Sequence, residues 1–287
     1  MEAARTYGAQ SMTAPLRRAL LKAPGPAFGR AFEDPALGFL HPVDLALARR
    51  QHALLAERLS GLGVIVELLD AETDSPDLVY IFDPLLVSHR GAIPLRSGKP
   101  SRRGEEAVLE GWVASAGIPT LGRIVAPGTV DGGDTFWLRR DLFCIGRSLR
   151  TNDAGARQLA GLVGGDVRVF DLPYWRGPAE LVHLLSVISP VAEDLAVVYP
   201  PLLPAGLWDL LGELGVRRVE VPDEEYGTLG CNVLAVRPGV VIIASGNPRT
   251  RRALDAAGCE IHEFEASEIG LNGSGGPTCL TRPILRV

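Results

Sequence analysis

Of the four cysteines in the chain, Cys279 stands apart, in the glycine-rich turn GSGGPTCLTRP that runs from Gly273 to Pro283. A thiolate is the strongest nucleophile among side chains near neutral pH. Upstream, at multiples of roughly fifty residues, come His183, Asp131 and Asp83. A thiol, an imidazole and carboxylates form the set that nucleophilic catalysis needs. The thiol attacks, the imidazole moves a proton, and a carboxylate orients the imidazole. Each residue also has a plainer reading. A lone free cysteine is usually a small core residue. His183, between Val182 and Leu184, fits a satisfied core histidine, and Asp131-Gly132-Gly133-Asp134 could be a simple turn braced or capped by Asp134. Their shared register is what favours chemistry.

That register comes from a repeating order of elements: strand, short turn, strand, turn signal, amphipathic helix, glycine, strand. In one unit Leu78–Ile81 and Pro84–Ser88 read as strands, and Ser101–Ala116 as a helix stopped by Gly117. The next, Asp131–Leu172, turns at Arg139-Arg140-Asp141. Its helix starts from a cap at Asn152 or Asp153, ends at Gly164, and leads into the strand DVRVFDL. The order returns over His183–Val221 and over Cys231–Glu265. A fifth unit would join the tail CLTRPILRV to the opening LRRALLKAPGP, a helix from about Val43 to Ser60 and the strand Val64–Leu69. Asp83, Asp131, His183 and Cys279 fall at or near the first strand of their units. In a closed ring of such units they would converge on the axis. An ordinary α/β domain with look-alike units is the alternative.

Composition narrows the field. At 287 residues the chain suits one large domain or two ordinary ones, and 29 basic against 34 acidic residues argue against nucleic acid or anionic membrane as the main partner. The cysteines form no CxxC pair and the five histidines no HExxH pair, so free thiols and no zinc site are expected. Cys144, Cys231 and Cys259 lie in or beside apolar strands and read as core; His41, His52, His89 and His262 read as surface; Asp166 and Asp171 read as structural. No run of about 18 apolar residues is present. Residues 1–13 lack the apolar middle of a signal peptide and read as a disordered extension, which leaves 14–287 as a single domain in a cytoplasmic protein.

Six stretches carry a resemblance: DLVYIFD (Asp77–Asp83), PSRRGEE (Pro100–Glu106), VDGGDTFWL (Val130–Leu138), IGRSLRTN (Ile145–Asn152), HLLS (His183–Ser186) and GGPTCLTRP (Gly275–Pro283). In this order they resemble the guanidine-modifying enzymes of the pentein, or amidinotransferase, superfamily, and most closely the dimethylarginine dimethylaminohydrolases. The resemblance implies a pseudo-fivefold α/β propeller of ββαβ repeats. It implies hydrolysis of the guanidinium C–N bond of Nω-methylated arginine to citrulline and a methylamine, through a covalent thiouronium on Cys279. His183 would then protonate the leaving amine and activate water, with Asp131 holding the imidazole. Asp83 would bind the guanidinium, Asp77 the α-amino group, and Arg102 and Arg150 the carboxylate, where a forked guanidinium suits better than lysine. Cations at the helix N-terminus that Arg102 and Arg103 occupy oppose the dipole, which also favours a ligand role.

Asn272, in LNGSGG, belongs to the turn that would approach the amine, and Pro24–Gly38 has the Gly and Pro spacing of a lid. No metal or organic cofactor is required. The residues are silent on oligomeric state; a homodimer is open. Two positions depart from the family pattern. Phe82 stands where these enzymes commonly carry glutamate, and Leu185 where arginine deiminases and amidinotransferases carry a second aspartate. Both favour a methylated guanidine. Deimination or amidino transfer on another guanidine is the near alternative, and a non-catalytic pentein that only binds is the distant one.

Overall fold

The structure is a computed structural model that describes residues 5–175 and 182–287. In chain order its elements are β1 (Leu16–Leu21), α1 (Pro26–Gly29), α2 (Leu45–Gly61), β2 (Ile65–Leu68), β3 (Leu85–Ser88), β4 (Gly91–Pro94) and α3 (Glu105–Ser115). They continue with β5 (Thr135–Arg139), β6 (Leu142–Arg147), α4 (Asp153–Val163), β7 (Asp166–Asp171), β8 (Ile188–Ala192), β9 (Leu195–Val198), α5 (Ala205–Glu213) and β10 (Arg217–Glu220). The last are α6 (Asp223–Tyr226), β11 (Leu234–Arg237), β12 (Val240–Ala244), α7 (Pro248–Ala256), β13 (Glu260–Phe264) and β14 (Arg282–Arg286).

The strands form five small sheets of a mixed α/β fold. In three of them an antiparallel hairpin is followed by a helix and a third strand parallel to the second: β5-β6-β7, β8-β9-β10 and β11-β12-β13. In the sheet β3-β4 the third strand is reduced to a parallel bridge between Ala92 and Thr120. In the remaining sheet the hairpin is replaced by a pairing of distant strands. β14 runs antiparallel to β1, and β1 parallel to β2.

Local sequence explains the pattern. Second strands such as β12, VVIIA, are buried throughout, as β-branched runs flanked on both faces tend to be. Third strands are edges and read polar. In β7 Arg168 pairs with Asp166, and Asp171 holds Arg147 of β6, charges that discourage further strand pairing. The α4 helix begins where Asn152 Oδ1 accepts the Gly155 N–H at 2.8 Å, and it ends at Gly164, whose φ of +67° disfavours other residues. Among the described residues no helix is long and apolar enough to cross a membrane.

Four expectations change. Residues 78–81 are not a strand: Pro76–Val79 form a 3₁₀ turn, with Leu78 and Ile81 fully buried. The chain before residue 14 is packed where it is described. Gly8 N–H donates to Ile284 O at 2.7 Å, Ala9 N–H donates to Val87 O, and Ala9 and Met12 are buried. Residues 1–4 lie outside the described residues. His52 is buried on the inner face of α2 with Ala48, Leu55 and Leu59, and burial with nearby Lys22 pulls its pKa down to about 4. Pro24–Gly38 is not a free flap. Phe28 and Ala31 are buried, and the Phe28 ring meets Phe39 edge-on at 5.3 Å.

Candidate active site

Four loops, each leading into the first strand of a unit, are stitched together by main-chain bonds. The Gly132 N–H donates to Asp83 O at 2.9 Å and the Gly133 N–H to Asp83 Oδ1 at 2.7 Å. Phe82 N–H donates to Cys279 O at 3.1 Å. The Leu184 N–H donates to Asp134 Oδ1 at 3.0 Å. Asp83, Asp131, His183 and Cys279 are thereby brought to one place. Gly133 shows how tight the junction is. A Cβ there would lie 2.8 Å from His183 Nδ1 and 3.1 Å from Asp83 Oδ1, so no other residue fits without displacing one of them.

Asp131 is fully buried, and four partners hold its carboxylate or its main chain. Oδ1 accepts from the Gly98 N–H at 3.1 Å, and Thr151 Oγ1 accepts from the Asp131 N–H. Oδ2 lies 3.3 Å from both Arg150 Nη1 and His183 Nε2. The His183 contact is an ion pair without good hydrogen-bond alignment, and Nε2 has no other hydrogen-bond partner among the described residues. Burial acts to raise the Asp131 pKa, but His183, Arg102 and Arg150 outweigh it, so the carboxyl ionises far below its ordinary range. For His183 burial acts to lower the pKa, and Asp134, Asp131 and Asp83 together reverse that. The imidazole is held above its ordinary value, as suits a group that must carry a proton to a leaving nitrogen.

Cys279 is partly exposed, whereas Cys144, Cys231 and Cys259 are buried as expected. Burial and the Asp83 charge push its thiol up to about 11, against the opposing pull of Asn232, Gly276 and Arg102. Asn232 was not among the expected residues. Its Oδ1 accepts the Thr278 N–H at 3.0 Å, which fixes the amide so that Nδ2 points at Cys279 Sγ, 3.2 Å away. A signal existed: Asn232 stands just before β11 as the other four stand before their strands. Asp134 was read as a brace, and it is one, accepting from Leu184 N–H and from Ser148 Oγ at 2.6 Å. It also supplies the largest of the charges that raise the His183 pKa.

The expected substrate contacts divide. Asp77 and Asp83 are both buried at the site. Asp83 Oδ2 is held by Arg102, and Asp77 Oδ2 by Lys99 Nζ at 2.6 Å. Arg102 is already committed: besides Asp83 it donates from Nε to Glu105 Oε2 at 2.9 Å and from Nη2 to the carbonyls of Asp77 and Tyr80. In this state it is a buried strut of the site, and Arg150, with one contact to Asp131, has more donors to offer a carboxylate. The Phe82 ring turns away into the core, where Arg282 stacks on it at 3.7 Å, so it does not wall a guanidinium pocket as expected. The Asn272 side chain is also engaged. Its Oδ1 accepts the N–H groups of Leu40 and His41, and its Nδ2 donates to His41 O and Glu268 Oε1. With every polar atom matched inside the chain, it is a clamp on the 40–41 segment and not a substrate contact.

A thiol, an imidazole with a raised pKa and buried carboxylates around one point suit nucleophilic attack on an electrophilic carbon followed by proton transfer, and the proteins this chain resembles make it a hydrolase acting on C–N bonds of the guanidino group. Comparison with known proteins agrees. The arginine deiminase family model matches residues 203–286. The N(G),N(G)-dimethylarginine dimethylaminohydrolase of Pseudomonas aeruginosa is 33% identical over 245 residues, covering 83% of this chain and 89% of the relative. That of Streptomyces coelicolor is 29% identical, covering 93% and 96%. The chain belongs to the dimethylarginine dimethylaminohydrolase family. The Pseudomonas aeruginosa enzyme, solved as a variant with citrulline, superposes with a TM-score of 0.78 at 27% identity, over 95% of this chain and all of the other. The N-terminal domain of a cyanobacterial arginine dihydrolase shares the fold, with a TM-score of 0.81 at 20% identity over 94% and 97% of the two chains.

Proposed function

We propose that the protein hydrolyses Nω-methylated arginine to citrulline and a methylamine, in the cytoplasm, with the segment before residue 14 packed into one catalytic domain with the rest of the described chain. The five sheets are read as blades of a pseudo-fivefold α/β propeller whose inner strands deliver the site. The observation that carries the reading is the convergence of Cys279, His183, Asp131 and Asp83 from four separate units through the loop contacts described above.

A Cys279 thiol pushed up to about 11 stays protonated at neutral pH unless a cation lies beside it. The guanidinium of the substrate supplies that cation. Seated by Asp83 beside the sulfur, it favours the thiolate, the thiol proton leaves to solvent, and His183 stays protonated. The sulfur then forms a bond to the guanidinium carbon. The imidazolium gives its proton to the methylated nitrogen, the C–N bond breaks, and methylamine or dimethylamine leaves a thiouronium on Cys279. Neutral His183 takes a proton from water as the oxygen bonds to that carbon. Collapse of the adduct breaks the C–S bond and releases citrulline. Asp131, fixed by Gly98 and Arg150, keeps the imidazolium stable through both steps.

A citrulline and amine assay with asymmetric dimethylarginine, monomethylarginine and arginine, run beside Cys279→Ser, tests this. Methylamine release that disappears in the variant is expected. Ammonia from arginine as the main product would make the protein a deiminase instead.

A further inference from the structure

We infer that Lys99 is the specificity-determining residue at the amine end of the site, an internal ammonium that competes with the α-ammonium of the substrate for Asp77. The inference rests on the reading above, in which Asp77 receives that group. Lys99 Nζ lies 2.6 Å from Asp77 Oδ2 and 3.3 Å from the carbonyl of Leu37, and both side chains are largely buried, at 14% and 7% exposure. Asp77 Oδ2 is therefore already taken. Any ammonium that reaches Oδ2 must displace one already there.

The two cations beside the buried carboxylates differ in how far they can yield. Arg102 is tied to two carboxylates and two carbonyls and is 5% exposed, so its guanidinium is a fixture. Lys99 has two contacts, a flexible stem and a path to solvent. Its main chain cannot follow the ammonium. The Gly98 N–H is bound to Asp131 Oδ1, a Cβ at Gly98 would lie 2.3 Å from Arg150 O, and the Lys99 N–H donates to Ser97 Oγ. Only the side chain moves, and it leaves Asp77 when a better-placed ammonium arrives. A guanidine that carries a carboxylate and no α-amine meets no such competition. It leaves Lys99 paired with Asp77. Lys99 thus narrows the preference for amino acids that Asp77 would otherwise impose.

The experiment compares wild type with Lys99→Met, which keeps the apolar stem and removes the charge. Two compounds are used: asymmetric dimethylarginine, through its KM, and the same dimethylguanidine on pentanoic acid without the α-amino group, through its Ki as a competitor. The expected result is that the variant shifts the balance toward dimethylarginine, raising the ratio of Ki to KM by about tenfold. Because both constants are taken on the same protein, general damage to the fold cancels. Lys99→Gln, which keeps a hydrogen bond to Asp77 without a charge, should shift the ratio the same way and serves if the methionine variant does not fold. A ratio that stays level or falls overturns the inference. Absence of citrulline from every methylated arginine in wild type overturns instead the reading on which it rests.

Discussion

Asn232 is the side chain whose removal should speak most directly about the nucleophile. Its amide is locked by Thr278, so toward sulfur it can only donate, and a donor favours thiolate over thiol. Asn232→Ala should slow iodoacetamide alkylation of Cys279 at neutral pH about tenfold and move the alkylation profile to higher pH. A profile that stays in place would mean that the contact only packs the loop. Asp134 carries a pH dependence of its own. Burial pushes its carboxyl from 3.8 up to about 6, so the folded chain holds that proton more tightly than the unfolded one. The resulting stability is complete below about 4 and is lost as the pH rises through 6. Melting curves between these values should show Asp134→Asn falling less than wild type over that interval.

At the scale of elements, the junction of the Asp83 and Asp131 loops depends on Gly133. Gly133→Ala must push either His183 or Asp83 out of line, so kcat should fall by at least about a hundredfold, with the far-ultraviolet circular dichroism preserved. Retention of activity would show that the loops have room that the static contacts deny. The start of α4 at Asn152, the helix-ending glycines Gly117 and Gly164, the third strand of the units and the convergence of Asp83, Asp131, His183 and Cys279 could be read from the sequence, because each rests on local pattern or on the period of the repeat. What could not be read depended on contacts across units. Leu78-Val79-Tyr80-Ile81 looks like a strand because a short apolar run cannot distinguish a strand from a turn buried on all sides. His52 looked exposed in a polar stretch, although its spacing from Ala48, Leu55 and Leu59 already placed it on the inner face of a helix. Arg102 and Asn272 read as substrate contacts, but the partners their polar atoms find are set by Glu105, Glu268 and the 40–41 segment.

For the whole molecule, the cysteines report on how much of the chain must open before chemistry reaches them. Cys144 and Cys231 are held by burial well above the ordinary thiol range, Cys144 near 12, inside the core that spans three sheets. Native labelling with a maleimide should therefore modify Cys279 first and leave Cys144 and Cys231 silent until denaturant is added. Early labelling of either would show that their part of the core opens locally. The sheet β14-β1-β2 sets a position as well as a shape. It pairs a strand made early in synthesis with one made late, and the late strand begins three residues after Cys279. The loop bearing the nucleophile is thus tied, through β14, to a strand from the far side of the sequence. The pairing that joins the first strand to the last is therefore also an anchor for the residue that carries the chemistry.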